Sequence, residues 1–135
     1  MLKKIITVFV IVIVALSCTD KKEKARLELN AGVEAMYDSR DSIAVVHFKN
    51  AIKLDETNPE GYLYLGKMEL SAGHLDAALD YIDKALKINP EYGEAYRTKG
   101  RIYFIKGDRL KSCENYKLAK KYGIPNLDNY LKFCR

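Results

Sequence analysis

Three consecutive stretches of 34 residues carry the same residue types at the same places, with no gap between them. A repeat of that length leaves few folds open, because each unit must be one small supersecondary structure that stacks on the next. The stretches are 25–58, 59–92 and 93–126. Position 8 is Gly32, Gly66 and Gly100, position 20 is Ala44, Ala78 and Ser112, and position 27 is Ala51, Ala85 and Ala119. Position 24 is Phe48, Ile82 and Tyr116, and position 4 is Glu28, Tyr62 and Tyr96. Small residues at 8, 20 and 27 let two helices approach closely, and bulky ones at 4 and 24 fill the space beside them. Apolar residues at helical spacing run through each half of each stretch, as in Leu75, Ala78, Leu79, Ile82 and Leu86. Gly73 and Gly107 suit the left-handed turn that ends a first helix. Asp108 suits a helix cap, and Asn58-Pro59 suits a helix start. Each stretch therefore predicts one helical hairpin.

With Pro90 at position 32, this pattern resembles the tetratricopeptide repeat, and the likeness covers residues 25–126. The middle stretch matches best, through Tyr62, Leu65, Gly66, Ala78, Ile82, Ala85 and Pro90. The first departs at Glu28, Ala31 and Glu56; the third departs at Lys99 and Ser112, with Pro125 one place late. Residues 127–135 restart the register, with Tyr130 on position 4 and Cys134 on position 8. Too short for another hairpin, they read as a capping helix over the third repeat. The resemblance implies an all-α fold, a right-handed α-solenoid of three hairpins plus a C-terminal capping helix, seven helices in all.

Ahead of the repeats, residues 5–17 form an uncharged apolar run preceded by Lys3 and Lys4. A positive start, a short apolar stretch and a small-residue exit make a secretory signal, here residues 1–17. At 13 residues the run falls short of the ~20 that span a bilayer as a helix. Ala15-Leu16-Ser17-Cys18 resembles a bacterial lipobox, which implies cleavage before Cys18 and lipid on that cysteine. Two or more acyl chains make a stable anchor. Residues 18–24 would then be the lipidated N-terminus and a short tether, of which Thr19–Lys24, if extended, reach about 20 Å. The place expected is the bacterial cell envelope. Thr19, in place of an Asp after the cysteine, favours the outer membrane.

Removal of Lys3 and Lys4 lowers the net charge from +5 to +3, which argues against nucleic acid as partner. Catalysis, cofactors, metals and a small-molecule substrate find no support. His47 and His74 lie in different repeats without a ligand cluster, and no phosphate loop or nucleophile motif is present. Cys113, on the second helix of repeat three, and Cys134, on the capping segment, would meet in an oxidising compartment. Either they form a disulfide, closing a loop of about 20 residues worth about 3 kcal/mol on chain-entropy grounds, or they are two buried thiols. Five of the ten tyrosines, Tyr62, Tyr96, Tyr103, Tyr116 and Tyr130, fall on core positions.

In the family the first helix of each repeat lines a concave face. Carried over, the resemblance places Tyr37, Leu63, Tyr64, Lys67, Arg97, Arg101 and Phe104 on a partner groove with an apolar and a basic part, to which Lys132 adds. Such a surface suits a peptide or helix with apolar anchors and some negative charge; a solvated helix face with scattered apolar residues has the same composition. The Lys and Asn residues that grip chaperone tails in one family subtype are replaced by Leu29, Val33, Tyr64 and Glu94. The function expected is a non-enzymatic, lipid-anchored protein-interaction module. A non-catalytic accessory subunit regulating an envelope or cell-wall enzyme is the other reading the same features allow.

Overall fold

The computed structural model describes residues 20–132 and 134 in full; the signal segment 1–17 and Cys18 lie outside the described residues. The chain folds as α1 (Leu2–Tyr37), α2 (Asp41–Leu54), α3 (Pro59–Ser71), α4 (Leu75–Ile88), α5 (Gly93–Ile105), α6 (Arg109–Lys121) and α7 (Asp128–Leu131), with no strand among the described residues. The expected all-α fold of paired helices is what the chain adopts. Its contacts divide it into two compact units, residues 1–56 and 57–135.

The first unit pairs α1 with α2. Its core is Ala25, Leu29, Ala35, Ala44, Phe48 and Ala51. Gly32 faces Phe48: a methyl group on Gly32 would stand 2.5 Å from the ring. This is why position 8 is glycine where position 24 is aromatic. Position 4, Glu28, departs from the repeat pattern, and its carboxylate meets His47 Nδ1 at 2.7 Å. The structure corrects the tether. Residues 20–24 continue α1 and are not extended. They therefore advance about 1.5 Å per residue, less than half the reach of an extended chain. The cause is local, since Lys24 pairs with Asp20 and Arg26 with Glu23 at one-turn spacing, and Ala25 is buried.

The second unit holds α3 to α7. Asn58 accepts the Glu60 amide at 2.9 Å with Pro59 as the first helical residue, and Asp108 accepts the Lys111 amide at 3.0 Å. Both caps fall where the sequence places them. Gly73 and Gly107 take φ of 83° and 79° and let the chain reverse after α3 and α5. Leu63, Ala78, Ile82, Ala85, Ala95 and Ile102 form one core cluster spanning α3, α4 and α5. Tyr116, Ala119 and Leu127 form another, flanked by Tyr96, Ile124 and Leu131. The position-8 contact recurs. Gly66 lies under Ile82 and Gly100 under Tyr116. Ser112 replaces the expected alanine at position 20 and uses its hydroxyl, which donates to the Gly100 carbonyl at 2.9 Å.

The capping segment is shorter than expected. Among its described residues only Asp128–Leu131, one turn, is helical. Leu127 is the plug, buried at 2% exposure, and Asn126 before it takes a positive φ of 57°. Lys120 pairs with Asp128 at 2.7 Å and a Cys113–Cys134 disulfide holds the far end, with the Cα atoms 5.4 Å apart. Tyr130 is not a core residue; it is 52% exposed and stacks on Tyr116 with ring centres 4.8 Å apart.

Candidate interaction face of the second and third hairpins

The expected groove residues separate into three groups. Tyr37 ends α1 in the first unit and is exposed. Leu63 belongs to the core: at 2% exposure it packs with Ala78, Ile82 and Ile102 and offers nothing to a partner. Leu29 at position 5 of the first repeat is buried as well, whereas Arg97 at position 5 of the third is exposed, so the residue type decides which of these side chains joins the core. Thr98, at position 6 of the third repeat, is also buried, and its hydroxyl donates to the Glu94 carbonyl at 2.9 Å. Tyr64, Lys67, Arg97, Arg101 and Phe104 remain on α3 and α5 with surface access.

The basic part of this face is organised around an acid. Glu94 Oε1 accepts from Lys67 Nζ at 2.7 Å and from Arg97 Nη2 at 2.6 Å, so one carboxylate joins α3 to α5. The Glu94 side chain is only 22% exposed. Burial alone would push its carboxyl up, but the hydrogen bonds and charges of Arg97 and Lys67 outweigh it and hold the pKa below the ordinary carboxylate value. Lys67 Nζ also sits 5.7 Å from the centre of the Tyr64 ring, within cation–π range. Two of the expected cations are therefore fixed in an internal network. Arg101, one turn beyond Arg97, is exposed.

Two more cations explain departures from the repeat pattern. Lys99 reaches Asp83 on α4 at 2.6 Å, and Lys106, just past α5, pairs with Asp76 in the first turn of α4. Composition alone did not assign these acidic partners, because the pairs join residues 16 and 30 apart. Aligning the repeats helps: both cations stand where the second repeat has an apolar residue, Leu65 and Ala72.

At its far end the face opens into a hollow of about 690 Å³, lined by Phe104, Tyr116 and Tyr130 with Ser112, Cys113, Asn129, Gly107 and Arg109. Phe104 is 63% exposed there. Such a concave apolar site with a few polar groups is shaped for a side chain of a bound segment. No group of three or more metal-ligating side chains occurs among the described residues.

Residues 59–102 match the tetratricopeptide repeat family. Solved structures agree over more of the chain. The first repeat domain of Spaghetti (RPAP3), bound to the HSP90 peptide SRMEEVD, is 17% identical, covers 82% of this chain and 90% of its own, and superposes with a TM-score of 0.76. The repeat domain of Arabidopsis OM64 is 20% identical over 85% of this chain and 97% of its own, with a TM-score of 0.77. MamA is 25% identical over 73% of this chain, which spans 58% of MamA, with a TM-score of 0.67. The described residues thus form paired helices with the fold of these repeat domains, and the stretch 59–102 carries the tetratricopeptide repeat match.

Proposed function

We propose that this chain is a lipid-anchored interaction module of the bacterial cell envelope that binds a segment of another protein across α3 and α5. The observation that carries the binding half is the α3–α5 face itself: Tyr64, Arg97 and Arg101 lead to Phe104 and an apolar hollow, a surface of exposed anchors beside fixed charge. The peptide held by the Spaghetti (RPAP3) domain supports a peptide ligand for this fold. The chemistry of the ligand differs. Where a chaperone-tail clamp needs Lys and Asn, this chain has buried Leu29 and the carboxylate of Glu94, which repels a terminal carboxylate. An internal segment with an apolar anchor fits better. The anchoring half rests on Lys3, Lys4, the apolar run and Cys18.

Two measurements test the two halves separately. Crosslinking and affinity capture from native envelopes should recover a protein partner with the wild-type chain, and Arg101→Glu together with Phe104→Ser should lose it. Unchanged recovery rejects the face. Intact mass of the mature chain should show acylation that vanishes in Cys18→Ala; an unmodified, still full-length chain rejects the anchor.

A further inference from the structure

The turns of the second and third hairpins occupy the same register and differ in what they expose. In the second, Leu70 and Leu75 pack against the core cluster while Ser71 and Asp76 face solvent. In the third, the matching positions are reversed. Ile105 and Leu110 stand where Ser71 and Asp76 would be, 51% and 79% exposed, and Lys106 and Arg109 replace Ala72 and Leu75. A solvated turn gains nothing from two exposed branched apolar side chains, and their clustering with Phe104 makes a patch.

The patch adjoins two hollows. The apolar one is walled by Phe104, Tyr116 and Tyr130. The second, also about 690 Å³, is lined by Leu110, Lys117, Lys132 and one acid, Glu114, with Cys134, and both share Arg109 and Cys113, so its cations outnumber its carboxylate. The Cys113–Cys134 disulfide thus lies at the border of an apolar and a cationic depression. Charge says what chemistry is missing. Residues 97–135 carry eleven Lys and Arg against three Asp and Glu, while residues 1–96 carry twelve against fifteen.

We propose that the α5–α6 turn and the two hollows beside it form a second docking surface, which meets the α3–α5 face at Phe104 and the apolar hollow, for an acidic amphipathic helix of another protein. Its apolar stripe lies on Phe104, Ile105 and Leu110, and its carboxylates face Arg109, Lys117 and Lys132. Recessed hollows take side chains, whereas a lipid surface would need apolar groups that all project. Such a helix lays its apolar stripe on the patch and its charged flank against the cationic hollow.

The probe is a fluorescein-labelled helical peptide of Glu and Leu with a single Leu stripe, set against its Lys-for-Glu counterpart. Each is titrated by anisotropy with the full chain in neutral-lipid nanodiscs. The Glu peptide should bind at least roughly tenfold more tightly than the Lys peptide, and more weakly as salt rises. Ile105→Ser with Leu110→Asp, which restores the residue types of the second repeat, should weaken it roughly tenfold with the melting temperature unchanged, since both side chains are exposed. Arg97→Glu on the α3–α5 face should change it by no more than about threefold. Equal binding of the two peptides overturns the proposal, as does indifference to the double substitution. An equal loss in Arg97→Glu would move the site to the α3–α5 face. Two further results would replace the occupant and so also overturn it: binding to phosphatidylglycerol but not phosphatidylcholine vesicles without peptide binding, or a dimer in sedimentation that the double substitution dissolves.

Discussion

The second and third hairpins follow one register, yet they differ in what packs on their second helix among the described residues. The face of α4 is covered by α5, and Ile82 and Ile102 share a single buried cluster across that junction. The equivalent face of α6 is covered by a single turn, α7, held by Leu127, a Lys120–Asp128 pair and a disulfide. The same residue types therefore give core in one hairpin and surface in the other. A repeat position specifies a direction, and the neighbour in that direction decides whether the side chain is buried. The third hairpin adapts through polarity. Lys99 and Lys106 turn back to Asp83 and Asp76 on α4, and Ser112 donates to its own hairpin partner.

The largest expected effect tests the interior. Ile82→Ala should lower the unfolding free energy by about 2–5 kcal/mol in denaturant titrations, because Ile82 is fully buried at the centre of the larger cluster. A loss under 1 kcal/mol would mean that the second hairpin is no better packed than the third. Next comes the end of the chain. Reducing Cys113–Cys134 opens a loop with sequence separation 21 and should cost about 3 kcal/mol on chain-entropy grounds. Hydrogen exchange should then rise in α6 and α7 ahead of α3 and α4; uniform acceleration would show that the two hairpins are not independent in this respect.

The glycine contacts give a smaller, paired test. A methyl group on Gly66 meets Ile82 Cδ1 at 2.7 Å and the Ala78 carbonyl at 3.3 Å, whereas on Gly100 its nearest neighbours are atoms of the Tyr116 ring, from 3.1 Å. Gly66→Ala should destabilise by about 1–2 kcal/mol after the helix-propensity gain, and Gly100→Ala should be close to neutral. The reverse order would place the tighter hairpin third. Smallest is the acid limb. Glu94 has a folded pKa below its ordinary value, so its contribution is present above the ordinary carboxylate pKa and is lost as pH falls through the folded one. Glu94→Gln should flatten that limb of the stability–pH curve, by under about 1 kcal/mol given the partial exposure of its partners. A mutant curve parallel to wild type would remove Glu94 as the link between α3 and α5.

Much of the fold was legible because its signals are local. Gly73, Gly107, Asn58 and Asp108 act within a few residues of themselves, and the glycine-to-bulky contacts recur at fixed spacing. The face was half legible. Tyr64, Arg97, Arg101 and Phe104 keep surface access as helix phase predicts, but Leu63 does not, since phase alone does not separate the buried leucine at position 5 from the exposed arginine at the same position. Glu94 was read only as a missing lysine. Its role depends on Lys67, which lies 27 residues away and on another helix. The plug at Leu127 escaped for a similar reason: its burial depends on Tyr116 and Ala119 on the surface of α6.

The stacked pair Tyr116–Tyr130 has a spectroscopic consequence. With no tryptophan in the chain, its ultraviolet emission comes from tyrosine alone. One ring is buried against Gly100 and the other rides on the exposed last turn, 4.8 Å away. Exciton coupling and quenching between two rings so close depend steeply on their separation. The near-ultraviolet dichroism of the unlabelled protein thus carries a contribution that changes when its last turn lifts, beside the one from the stacked Tyr96–Tyr122 pair.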